Sequence, residues 1–249
     1  MNIVVCIKEV PDTETYIKIG ADQKSIQESN VTFIMNPYDE YAVEEALKIQ
    51  EAQGGEVTAL CVGSARADEV LRVAISMGVQ KAVRIDASAP FADSLTTATL
   101  LAEVLKEMNA DLILMGKETI DDGSTATGPM LGELLGVPCM TLATKVDVAG
   151  GNVTVERELE SGTEVIEAGM PCIITAQKGL NEPRYPSLRG KMMAKKAVID
   201  VKNVSVDAPQ VEIVTLQNPP ARGEAKVVGE GVEAVPELIR LLKEEAQVI

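Results

Sequence analysis

Residues 112–136 read LILMGKETIDDGSTATGPMLGELLG. The run Leu112–Met115 is apolar and uncharged, as a strand covered on both faces requires. A loop of glycines, hydroxyls and acids follows. Met130–Leu135 then belongs to a helix that stops at Gly136, the residue type that most readily ends one. The same alternation runs back to the start of the chain. Ile3–Ile7, Val57–Val62 and Ala82–Ile85 read as strands. Asn36-Pro37 opens a helix, with Asn as N-cap, Pro at the first helical position, and Asp39 and Glu40 at the positive end of the dipole. Its buried stripe is Ala42, Val43, Ala46, Leu47 and Ile49. Ser64 caps a second helix, with stripe Ala67, Val70, Leu71, Ala74 and Met77, ended by Gly78. A third starts near Asp93 and carries Leu95, Ala98, Ala102 and Leu105. Strands alternating with amphipathic helices over ~140 residues predict an α/β fold with a doubly wound parallel sheet.

After Pro138 the rhythm changes. Val153, Val155, Arg157 and Leu159 alternate with Thr154, Glu156, Glu158 and Glu160, and Ser161-Gly162 turns the chain into Thr163–Ile166: an antiparallel hairpin. Cys172–Ala176 is a further strand. It leads into LNEPRYPSLRGKMMAKK, residues 180–196, a basic loop with two prolines around Leu188. Beyond it lie two β-like scraps, Val198–Val201 and Val211–Leu216, and one amphipathic helix started by Pro236, with Leu238, Ile239, Leu241 and Leu242. So long an irregular tail either wraps its own domain or embraces a second subunit.

The 249 residues suffice for a proper core, with 46% hydrophobic and 24% charged residues. Two Phe, four Tyr and no Trp leave the core to aliphatic side chains. A formal charge of −15 argues against nucleic acid as the main partner. The absence of histidine removes His-based triads and metal sites. Cys6, Cys61, Cys139 and Cys172 share no CxxC spacing, which favours buried thiols in a reducing compartment. The first residues, MNIVVCIKEV, turn charged after seven, and no run approaches the ~18 apolar residues of a membrane span. A cytoplasmic location without membrane insertion is expected.

In open α/β sheets, ligands gather beyond the carboxyl ends of the strands. Three segments converge there: CIKEVPDTE after the first strand, the Asn36-Pro37-Tyr38-Asp39 helix start, and GKETIDDGSTATGP, 116–129. The last is neither a P-loop nor G-x-G-x-x-G. Its Gly116, Gly123 and Gly128 permit close backbone approach, and Ser124, Thr125 and Thr127 offer hydroxyls. A phosphate or nucleotide site and a polar helix cap both fit this composition. Asp121-Asp122 disfavours a triphosphate and suits ribose hydroxyls or a small charge. No activated nucleophile accompanies it, so binding without turnover is expected.

These segments resemble the β-subunit of electron transfer flavoproteins along almost the whole chain. The carrying motifs are VERELESGTEVIEAGMPCIIT (155–175), MNPYDEYAVEEAL (35–47), GKETIDDGSTATG (116–128) and the basic loop 180–196. The resemblance implies a fold like that of adenine nucleotide α-hydrolases, with a hairpin extension and an extended C-terminal arm. It implies a heterodimer whose α-subunit holds the redox FAD while this subunit binds a structural AMP. The site would comprise Cys6, Asn36, Pro37, Tyr38, Asp39, Val62, Gly116, Lys117, Glu118, Thr119, Ile120, Asp121, Asp122, Gly123, Ser124, Thr125, Ala126 and Thr127. A nucleotide-binding domain over 1–200 would include the hairpin 153–176 and the recognition loop 180–196. The remaining 201–249 would pack on the partner subunit.

The family loop docks flavin dehydrogenases of the acyl-CoA type, and Leu188 takes the place of its anchoring leucine. Arg189-Gly190 replaces the proline usual after that leucine. Arg184 either meets a partner or pairs with this chain's own glutamates. Glu158 either matches a family glutamate that governs mobility of the flavin-bearing domain or is an exposed strand residue. Electrons would pass from such dehydrogenases, as in fatty acid β-oxidation, to a membrane quinone oxidoreductase. A second branch bifurcates electrons from NADH and holds another FAD in place of AMP. Asp122-Gly123, Thr127-Gly128, Arg157–Gly162 and NEPRY side with the AMP type; VPDTE, 10–14, is common in the other. A stand-alone adenine-nucleotide sensor is the remaining alternative.

Overall fold

The structure is a computed structural model that describes residues 1–87, 93–205, 209, 211–221, 223 and 225–249. The chain forms two compact units, Met1–Thr215 and Leu216–Ile249. The expected C-terminal arm, 201–249, thus spans the end of the first unit and all of the second, and a few of its positions lie outside the described residues.

In chain order the strands and helices of the first unit are β1 (Asn2–Ile7), β2 (Glu9–Pro11), β3 (Phe33–Met35), α1 (Pro37–Gln53), β4 (Glu56–Gly63), α2 (Asp68–Met77), β5 (Lys81–Asp86) and α3 (Ser94–Met108). There follow β6 (Leu112–Gly116), α4 (Thr127–Leu135), β7 (Cys139–Ala149), β8 (Asn152–Leu159), β9 (Gly162–Gly169), β10 (Cys172–Ala176), α5 (Leu188–Lys196) and β11 (Asp200–Lys202). The second unit contains α6 (Val235–Glu244).

One nine-stranded sheet runs in the order β11-β5-β4-β1-β6-β10-β7-β8-β9. Its pairs are parallel from β11 through β7, and β8 and β9 extend it as the antiparallel hairpin. β2 and β3 form a separate antiparallel ribbon. The predicted doubly wound sheet is therefore present, and β1 is central to it. Alternate residues of β1 enter two different cores, as the two-residue period of a strand requires. Ile3, Val5 and Ile7 pack with α1 and α2, whereas Val4 and Cys6 pack with α3 and with Leu131 of α4. The chain visits β4 and β5 on one side of β1 and then crosses to β6 on the other. That reversal opens a crevice at the carboxyl edge.

Five sequence expectations change. β7 is a long strand where sequence reading marked only an apolar, strand-like run at Cys139. Leu95 of α3 is exposed, outside the buried stripe. Val211–Leu216 forms no strand. Leu188–Lys196 is a helix instead of a loop, capped by the Ser187 hydroxyl, which accepts from the Gly190 N–H. Asn36 stands at the N-cap of α1, but its side chain makes no capping bond. It does other work at the crevice.

Candidate functional site

At the carboxyl edge the chain leaves β1 and immediately meets the start of α1. The Lys8 carbonyl accepts from the Asn36 N–H at 2.9 Å. The Asp39 carboxylate accepts from the Lys8 N–H at 2.7 Å and from the Gly116 N–H at 2.9 Å. One acid thus joins the ends of β1 and β6 to the first turn of α1. Gly116 has to be glycine for this: a Cβ there would collide with Asp39 Oδ1 and lie 2.7 Å from Tyr38 Cβ.

Asp39 is only 3% exposed. Burial pushes its carboxyl up to about 7, against the opposing pull of the bonds from Lys8, Asn36 and Gly116. Cys6 lies beside it. Burial, and then the charge of Asp39, raise the Cys6 thiol far above the ordinary range, so it remains protonated and serves as apolar surface. Burial likewise pushes Cys61 up to about 12 and Cys139 and Cys172 up to about 11.

The loop after β6 is held from both sides. The Asn36 amide donates to the Glu118 carbonyl at 2.9 Å and accepts from the Ile120 N–H at 3.2 Å. Lys8 Nζ lies 2.8 Å from Asp121 and 3.2 Å from Asp122. Burial alone would raise the Asp122 carboxyl, but the Ser124 N–H, Lys8 and the Thr119 hydroxyl outweigh it and lower it. Lys117 pairs with Glu118 at 3.1 Å and sits over the Tyr38 ring. The Ser94 and Ser124 hydroxyls bond to each other at 2.6 Å, tying the loop to the start of α3.

These contacts surround a cleft of about 340 Å³. Of the residues expected at a nucleotide site, Cys6, Asp39, Val62, Gly116, Lys117, Glu118, Thr119, Asp122, Ser124 and Thr127 line it. Asn36, Pro37, Tyr38, Ile120, Asp121, Gly123, Thr125 and Ala126 do not; Asn36 and Asp121 shape the loop from behind. Ile7, Lys8 and Gly128 line it from within the converging segments, and sequence reading missed Asp93, Ser94, Thr97, Leu101, Met115, Val211 and Ile213. Asp93, Ser94 and Thr97 follow from the α3 start, whose cap is Asp93 accepting from the Thr96 N–H. Val211 and Ile213 carry no local signal.

Chemically, the cleft offers an apolar wall of Cys6, Val62, Leu101 and Met115 and a hydroxyl-rich wall of Ser94, Thr97, Thr119, Ser124 and Thr127. The N-termini of α3 and α4 both open onto it, which favours a modest negative charge. Four carboxylates against Lys8 and Lys117 disfavour a polyanion.

The other singled-out residues lie apart from the cleft. Leu188 is the first residue of α5 and is 84% exposed. Arg184 forks onto Glu44 and Glu51 of α1. Glu158 is exposed on β8, and its carboxylate has no partner among the described residues. No helix among those residues is long and apolar enough to cross a membrane.

The family described as "Electron transfer flavoprotein domain" matches residues 24–207. The chain is 40% identical to "Electron transfer flavoprotein subunit beta" of Bacillus subtilis (strain 168), covering the full length of both. It is 36% identical to the protein of that name from Dictyostelium discoideum, over 99% of this chain and 98% of the other. The mitochondrial "Electron transfer flavoprotein subunit beta" of Arabidopsis thaliana is 37% identical, again over both full lengths. A parallel sheet with a ligand-sized crevice at its switch point, matched end to end at this identity, places the chain in the electron transfer flavoprotein family, among its β-subunits.

Proposed function

We propose that this chain is the β-subunit of a heterodimeric electron carrier, holding AMP in the cleft while an α-subunit carries the redox FAD. The cleft carries the reading. Its volume accommodates a mononucleotide. The apolar wall fits a purine, and the hydroxyls and helix N-termini fit a ribose and one phosphate. The net acidity of the lining speaks against further phosphates. The nucleotide is a structural piece in this reading: the chain has no histidine, and the one lining acid with a raised proton affinity, Asp39, is engaged by the Lys8 and Gly116 N–H groups.

The FAD, when bound by the α-subunit, accepts electrons and passes them on. What this chain contributes is a frame and a landing site. The C-terminal arm packs on the α-subunit. Tyr185, Leu188 and Met192 stand exposed on and beside α5, flanked by Arg189, Lys191, Lys195 and Lys196, none of which has an acidic partner among the described residues. Burial of Leu188 in an apolar pocket of a flavin dehydrogenase of the acyl-CoA type contributes ~2 kcal/mol, a magnitude suited to a transient complex. The exposed Glu158 is free to engage the flavin-bearing domain. Electrons then leave towards a membrane quinone oxidoreductase, and the heterodimer works in the cytoplasm.

Mass spectrometry of small molecules released by denaturing the purified heterodimer tests the cleft assignment. One AMP and one FAD per heterodimer are expected. Two FAD and no AMP would assign the chain to the bifurcating branch, with NADH as donor, and a well-folded monomer holding adenine nucleotide without flavin would make it a sensor.

A further inference from the structure

We infer that Arg184 is a positioning residue for docking: it fixes the exposed face of α5 by clamping the segment before it onto α1, and it does not itself touch the partner. The inference rests on the docking role proposed for Leu188.

Glu44 and Glu51 are two helical turns apart and share one face of α1. Arg184 occupies both. Its Nε and Nη2 donate to the Glu44 carboxylate at 2.8 and 3.0 Å, its own backbone N–H donates to Glu44 at 3.1 Å, and Nη2 also reaches Glu51 at 3.2 Å. Glu44 is buried, with a side chain 8% exposed. Three residues earlier, the Asn181 amide donates to the Tyr41 carbonyl and to Glu45, both at 2.9 Å. Residues 181–184 are thus tied to α1, and Pro183 and Pro186 limit what slack remains. The far end of α5 is held by Arg72 of α2, whose guanidinium donates to the carbonyls of Ala194 and Ala197. Between these ties, only Ala194 of α5 is buried.

The contrast with neighbouring cations assigns the role. Arg189, Lys191, Lys195 and Lys196 have no acidic partner among the described residues and are available to an incoming surface. Arg184 is committed to Glu44 and Glu51 through Nε and both Nη atoms. Turning it towards a partner would strand the buried Glu44 carboxylate, which is costlier than the new contact is worth. A guanidinium fork spanning two carboxylates is also a geometric device that a lysine cannot reproduce.

The test is steady-state electron transfer from a purified acyl-CoA dehydrogenase, with the intact heterodimer as the varied acceptor. Arg184→Met and Glu44→Gln should each raise the apparent KM for the heterodimer about tenfold, with kcat and flavin content unchanged. Arg184→Lys should fall between, and the double variant should be no worse than Arg184→Met alone. A wild-type KM for Glu44→Gln beside a raised one for Arg184→Met would mean that Arg184 contacts the partner directly, overturning the inference. Lost flavin, or kcat falling in step, would show a merely structural role and overturn it as well. If Arg184→Met does not assemble, Glu51→Gln, which removes only the more exposed half of the fork, should raise KM about threefold; an unchanged value sinks the idea. Leu188→Ala separates the two levels. Its failure to raise KM refutes the docking role itself, whereas a raised KM for Leu188→Ala with none for the Arg184 and Glu44 variants refutes only the positioning role.

Discussion

Asp39 stands in the first turn of α1, where its charge favours the helix dipole, yet it is buried and bonded to two backbone N–H groups. Desolvation wins, lifting its carboxyl from the ordinary 3.8 to about 7. The folded state therefore retains this proton at pH values where the unfolded chain has released it. Stability from this group is complete below about 4 and is lost as pH rises through about 7. Comparing wild-type and Asp39→Asn heterodimers removes every other titrating group from the difference. The wild-type thermal midpoint should decline relative to the variant between pH 5 and pH 8, by an amount on the order of a few kcal/mol in stability. A constant difference across that range would show that the carboxyl titrates normally. The sequence announced this acid as a helix-start residue at the edge where segments converge; its bridging role needed β6 brought beside β1.

Among the elements, α5 offers the sharpest contest of magnitudes. Replacing a glycine inside a helix by alanine ordinarily stabilises by about 1 kcal/mol. Gly190 reverses the sign, because its Cβ would run into the Ser76 carbonyl oxygen of α2 and come within 3.1 Å of the Ser187 hydroxyl. A backbone atom cannot yield cheaply, and overpacking costs roughly 1–3 kcal/mol. Gly190→Ala should therefore lower the thermal midpoint of the heterodimer, measured calorimetrically; a rise would mean that α5 is loosely seated. This helix escaped sequence reading because its apolar residues, Leu188, Met192 and Met193, face solvent and mark no core stripe. β7 escaped for another reason. Its ladder shifts register between Ala143 and Lys145, and Leu142 adopts a left-handed φ of 64° with its N–H on the Thr175 hydroxyl. Such a bulge breaks the two-residue alternation by which strands are recognised. Where the period stayed intact, as in β8 and β9, the hairpin was legible to within a few residues.

For the whole molecule, charge is distributed against its own average. A chain of net charge −15 concentrates on α5 cations that have no acidic partner among the described residues, beside its exposed apolar residues. In the proposed complex, long-range repulsion from an acidic donor would be offset locally at α5, and salt would screen that attraction. Association with the dehydrogenase should slow by roughly tenfold as ionic strength rises from about 0.02 to about 0.3 M, and the paired change Lys195→Gln with Lys196→Gln should flatten the dependence. Stopped-flow rates that ignore salt would remove steering from the account and leave Leu188 to act alone. At this scale the cleft was partly readable, because the ends of parallel strands converge by rule, so the segment from Cys6, the start of α1 and the loop from Gly116 could be grouped without coordinates, while Val62 came only with the family resemblance. The contribution of Val211 and Ile213, far beyond that loop in the chain, could not be read this way.

Local chemistry written into the chain decided most of the strands and helices of the wound sheet, where the hairpin turns, and which edge bears the cleft. Each of these follows from periodicity, caps and glycines within a few neighbouring residues. Tertiary structure alone decided the strand order, the partners of Arg184 and Asn36, and the elevated proton affinity of Asp39. Those depend on which distant groups meet away from water, and burial is a property of the assembled molecule that no short stretch of sequence possesses.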